Sequence, residues 1–137
     1  MRNEAATASP SMESAANADL RERWDERAAI LEHGAGLPLR WADALAWIYV
    51  MPPPPGVWPD RWARIRAGAA WLIEDHGRAI IAARWRPEAL LGVKTFGDAP
   101  TAGVLLWRLD YLRVLSVDAS GGLELRGAGV WFVMPAA

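Results

Sequence analysis

Apolar residues recur along this chain with two periods, and the change from one to the other divides it. Leu20, Trp24, Ala28 and Leu31 fall on one side of a helix. Asp19, with Glu22 three residues on, makes a capping-box-like start, and Gly34 and Gly36 supply its end. Pro38 can open a second helix whose apolar side is Leu39, Ala42, Leu45, Ala46 and Tyr49. Four consecutive prolines, Pro52 to Pro55, stop it and favour a stiff polyproline II connector. A longer third helix is predicted from Pro59 or Asp60 to about Ala83, with Trp62, Ile65, Ala69, Leu72, Ile73, His76, Ile80 and Ala83 on one stripe. Gly68 and Gly77 weaken that helix and point to close packing or a bend. Pro87 opens a short helical turn that Gly92 closes.

From Gly103 the period drops to two and turn residues recur at short intervals, the pattern of a β-meander. Four strands are predicted: Val104 to Leu109, Leu112 to Val117, Leu123 to Arg126 and Val130 to Met134. Turns at Asp110-Tyr111, Ser120-Gly121-Gly122 and Gly127-Ala128-Gly129 join them. The last strand is apolar throughout and is expected to be central or covered on both faces. Residues 1–18 are small and polar with no apolar face, and are expected to form a disordered tail. The fold class is therefore α+β, a helical hairpin plus a longer central helix packed on a four-stranded antiparallel β-meander. The organisation expected is a tail over 1–18 and one domain over 19–137, with the hairpin at 19–51, the proline connector at 52–58, the central and short helices at 59–92 and the meander at 103–134.

Composition narrows the functions such a chain can have. A hydrophobic fraction of 53% exceeds the usual ~45–50%, enough for a well-filled core. No apolar run approaches the ~18–20 residues that span a bilayer, and the first residues lack the pattern of a signal peptide, so a cytoplasmic protein with no membrane partner is expected. With no cysteine and two histidines, thiolate metal sites, iron–sulfur clusters and Cys nucleophiles are excluded, and neither a metal site nor a cofactor is expected. A net charge of −1 argues against a surface that tracks nucleic acid as a whole. All but one of the 15 basic residues are arginine, which reads as the codon usage of a GC-rich genome and weakens arguments from arginine content.

No reaction chemistry emerges from the motifs. Glu74, Asp75 and His76 are adjacent on the third helix, so their side chains diverge and cannot converge on one substrate atom. Gly34-Ala35-Gly36 lacks the lysine and the preceding strand of a phosphate loop, and Ser116 and Ser120 lie in no nucleophile elbow. The chain is therefore read as non-enzymatic.

Nine tryptophans are far above the usual share, and tryptophan is favoured at binding hot spots. Trp24, Trp62, Trp71, Trp107 and Trp131 have positions consistent with core packing, whereas Trp41, Trp47, Trp58 and Trp85 are the candidates for a protein-binding surface. The other reading is nucleic-acid binding by a winged-helix-like regulator, with Arg61, Arg64, Arg78, Arg84 and Arg86, joined by Lys94, on phosphates. Oligomeric state is left open.

Two stretches carry a resemblance. Glu22-Arg23-Trp24-Asp25-Glu26-Arg27-Ala28-Ala29-Ile30-Leu31-Glu32-His33-Gly34-Ala35-Gly36-Leu37 resembles a helix-turn segment recurring in proteins of phages, plasmids and integrated elements of alphaproteobacteria. Trp85-Arg86-Pro87-Glu88-Ala89-Leu90-Leu91-Gly92-Val93, with the meander to residue 134, is similar to the C-terminal half of small uncharacterised proteins from that setting. The resemblance implies a mobile-element accessory protein, for example an inhibitor of a host defence system, and brings no catalytic residue with it.

Overall fold

The computed structural model describes the backbone of residues 3–93, 97, 99–127 and 130–135, and the side chains of 15–93, 97, 99–127 and 133–135. Lys94, residues 128 and 129 of the last expected turn, and the Trp131 side chain lie outside what it describes. The architecture is α+β. Among the described residues four α-helices are followed by a three-stranded antiparallel sheet: α1 Asn3–Ala29, α2 Leu39–Val50, α3 Pro59–Ala82, α4 Pro87–Leu91, then β1 Arg113–Val117, β2 Leu123–Gly127 and β3 Val130–Met134. The chain falls into two compact units, Met1–Met51 and Pro52–Ala137. The division falls where the proline run begins.

In the first unit α1 begins at Asn3, so Asp19 lies inside the helix and does not cap it, and the backbone of 3–18, expected as a tail, is helical. Pro10 sits within this stretch, although proline removes one backbone donor there. α1 packs against α2. The predicted face holds: Ala28 is buried and Leu20, Trp24 and Leu31 are half-buried. The Trp24 Nε1–H donates to the Asp43 carbonyl of α2 at 2.9 Å, and the Arg27 guanidinium lies 5.5 Å from the Tyr49 ring centroid. α1 widens into a π-helical turn over Ile30–Gly34. The chain then reverses at Gly36, whose φ of +71° suits a residue without Cβ, and the Leu37 N–H closes the turn on the Leu31 carbonyl at 3.1 Å. α2 is apolar nearly all round and buries Trp41, Ala42, Ala44, Leu45, Ala46, Trp47, Ile48 and Val50. Burial pushes the Asp43 carboxyl above the usual range, and the nearby charges of Glu32 and Asp25 add to that.

The second unit starts with the prolines. They form neither helix nor strand, and the segment ends in a turn closed by the Val57 N–H on the Pro54 carbonyl at 3.0 Å. Pro59 at the first helical position opens α3. Its predicted stripe is the buried one, with Trp62, Ile65, Ala69, Leu72 and Ile80 inside. Gly68 marks a close approach: a Cβ there would collide with the Leu109 carbonyl and come within 2.8 Å of the Leu109 Cβ. α3 ends in a complete Schellman motif, with the Trp85 N–H on the Ile80 carbonyl (3.2 Å) and the Arg84 N–H on the Ile81 carbonyl (3.0 Å).

The first of the four predicted strands is absent. Leu105–Arg108 is a 3-10 turn, and the residues it and its C-terminal flank bury, Leu105, Leu106 and Leu109, have helical spacing. A short apolar run does not by itself distinguish the two states. The other three strands pair in sequence order, β1-β2-β3, all antiparallel. β3, expected to be central or covered, is therefore at an edge. Val114, Leu123 and Leu125 face the core, and β1 packs on α3. The β1–β2 turn is organised by Asp118, whose Oδ1 accepts the Ser120 N–H (2.9 Å), the Ser120 hydroxyl (2.7 Å) and the Gly122 N–H (2.8 Å).

Candidate functional site

The tryptophans sort differently from the sequence expectation. Of the four expected on a binding surface, Trp41, Trp47 and Trp85 are buried and only Trp58 is exposed, at 79%. Trp85 is held as a core residue by its indole N–H, which donates to the Gly121 carbonyl at 2.6 Å. Trp41 and Trp47 belong to the buried surface of α2. Trp58 precedes Pro59 at the mouth of α3, and its carbonyl accepts the Trp62 N–H at 2.9 Å, so an exposed indole stands on a fixed backbone.

Trp71, assigned by its helical position to the core, is 48% exposed. The sequence did hold a signal for this: Arg64, Trp71 and Arg78 stand seven residues apart on α3, which places Trp71 on the helix's polar side. It forms one lip of a cleft between α3 and residues 109–114. Tyr111, 49% exposed, lines the same cleft, with Asp75, His76, Asp110 and Arg113. The cleft exists because Gly68 lets α3 approach Leu109 closely below it. The Arg113 guanidinium stacks 4.2 Å from the Trp71 ring centroid, and its Nη2 lies 3.4 Å from the Asp75 Oδ2. The ion pair is long and half-exposed on both sides, so it contributes little, and the stacking contributes about 0.5–1 kcal/mol.

Beneath Tyr111, Asp110 is tied into the fold. Its Oδ2 accepts the Arg61 Nε–H at 3.1 Å, and the Arg61 Nη2 donates to the Trp107 carbonyl at 2.8 Å. Among the described residues the buried Asp110 Oδ1 has no hydrogen-bond partner. Tyr111 also borders a second, open groove of about 510 Å³ lined by Arg61, Gly103, Val104, Trp107 and Arg108. The surface of this unit therefore presents Trp71, Tyr111 and Trp107 with Arg113 and Arg108 around two adjoining depressions.

Of the arginines expected on nucleic acid, Arg61 is occupied by Asp110 and Trp107, while Arg64, Arg78, Arg84 and Arg86 are exposed. Arg64 and Arg78 are roughly 20 Å apart along α3 by its rise per residue, and Glu74 and Asp75 lie between them. Arg64 and Arg78 therefore do not stand side by side. Among the described residues no group of three or more His, Asp or Glu could hold a metal ion, and no helix is long and apolar enough to cross a membrane.

No protein-family model matches the sequence, and neither the curated proteins nor the solved structures contain a significant match to it.

Proposed function

We propose that this protein acts by binding another protein and performs no chemistry of its own. Trp71 and Tyr111 are the anchors of its recognition surface, and Arg113 and Arg108 its polar rim. The observation that carries this reading is the pair of half-exposed aromatic rings lining one cleft, with an arginine already stacked on one of them. Tryptophan, tyrosine and arginine are the residue types in which interface energy concentrates, and a concave site between them gives a partner side chain somewhere to be desolvated. Trp58 is a second, separate exposed anchor. The resemblance of residues 22–37 and 85–134 to accessory proteins of mobile elements supports a role against a host component, and a host defence protein is the partner to try first.

The test is affinity capture from host lysate with nucleic acid digested in one arm and retained in the other. Binding of the recovered protein is then measured for Trp71→Ala and Tyr111→Ala. Each substitution is expected to weaken binding by about 2 kcal/mol, roughly thirtyfold, with the melting temperature little changed. Recovery of nucleic acid alone, with affinity falling steeply as salt rises, would replace this reading with the DNA-binding one.

A further inference from the structure

The sheet has two edges, and the chain treats them differently. β1 packs against α3, its register with β2 is broken by a bulge between Val114 and Ser116, and it opens with the charged Arg113. Bulges, charges and covering elements are the devices that stop an edge strand from pairing with another chain. Among the described residues β3 has neither bulge nor charge. Val130-Trp131-Phe132-Val133-Met134 contains neither charge nor proline, its register with β2 is uninterrupted, and among the described residues no strand lies on its other side. Its residues are mostly the β-branched and aromatic types that favour strands, and Val133 is 75% exposed.

Register says which groups the open edge offers. Two residues separate Gly127 from its partner Val130, so this pair closes a short hairpin and exchanges both its hydrogen bonds. The alternation then makes Leu125↔Phe132 and Leu123↔Met134 the bonded pairs. The backbone N–H and C=O of Trp131 and of Val133 are left directed at the open edge.

We infer that a second copy of this chain adds there, β3 against β3, giving one continuous antiparallel sheet across a two-fold axis through Phe132. With that centre Trp131 stands opposite the partner's Val133 and Val133 opposite the partner's Trp131, and each pair exchanges two hydrogen bonds. All the open-edge groups of both residues are satisfied. In register, β2 sets Glu124 opposite Val133 and Arg126 opposite Trp131. Each row across the joined sheet therefore runs from a carboxylate on one copy to a guanidinium on the other. A parallel in-register pairing would put like charges at both ends; at three strand spacings, roughly 14 Å, this is a small preference for the antiparallel dimer.

Sedimentation equilibrium of the intact protein over about a hundredfold range of concentration is expected to show a reversible monomer–dimer equilibrium. Val133→Pro removes an edge donor without touching the bonds to β2, and Val133→Lys places a charge at the exposed position; both are expected to weaken dimerisation about tenfold or more with unchanged circular dichroism. Should the proline variant unfold, the lysine variant decides, and Val133→Thr is expected to dimerise as the parent does. A monomer at every concentration, a dimer that survives Val133→Lys, or open-ended assembly beyond the dimer would overturn the inference.

Discussion

Arg84 adopts φ +66°, and among the described residues it is the one that takes a positive φ without being glycine. It occupies the position of the Schellman motif where glycine is favoured because Cβ crowds the carbonyl in the left-handed region. The motif persists because its next residue is Trp85, buried and fixed by its bond to the Gly121 carbonyl. Arg84→Gly is therefore expected to stabilise the protein by about 0.5–1 kcal/mol, part of the relief being offset by the greater freedom of glycine in the unfolded chain, and a thermal melt reads the gain. At this scale the sequence was least informative. Trp41, Trp47 and Trp85 were expected at the surface and are buried, while Trp71 was expected in the core and is half-exposed. Large aromatic side chains suit either environment, and only the tertiary neighbours decide: the Gly121 carbonyl for Trp85, the Arg113 guanidinium for Trp71.

Among the elements, the helices were legible because their apolar stripes run for several turns. The stripe read for α3 is the one it buries. The segment 104–109 was misread because its apolar residues are too few to fix a period, and the segment 3–18 because a helix there has no apolar side for the sequence to show. The β1–β2 turn was legible from its glycines, but its organising residue, Asp118, was not singled out. The hydrogen bond from the Ser120 hydroxyl, followed by that from the Gly122 backbone, holds the Asp118 carboxyl below its usual range. A carboxylate whose folded value is depressed contributes stability that is present above its unfolded value and lost as pH falls through the folded one. The turn is thus expected to be indifferent to pH above about 4 and to loosen below it. Fluorescence of the neighbouring Trp85, followed from neutral pH into acid, is expected to show this transition, and Asp118→Asn, which keeps an acceptor oxygen, to abolish it.

For the molecule as a whole, the sequence marked the proline run as the clearest internal boundary, and the two compact units meet the chain at that point. The second unit has its own buried set, including Trp62, Ile65, Ile80, Leu90, Leu91, Leu106, Leu123 and Leu125. A fragment of residues 52–137 is accordingly expected to unfold cooperatively by itself, with the near-ultraviolet signal of Trp62 and Trp85 retained; a fragment without a thermal transition would show that residues 1–51 are required. The cleft of Trp71 and Tyr111 lies entirely within this unit and should survive in it.

The sheet's order, β1-β2-β3, is also the order in which a ribosome delivers it. β2 and β3 each emerge to find a neighbour already made, a local topology that favours rapid folding. Until β3 pairs, β2 is the temporary margin of the sheet, and Glu124 and Arg126 alternate along it as charged guards. The uncharged strand arrives last. For the nascent chain, the interval in which that strand is synthesised but unplaced is the shortest that strand order permits.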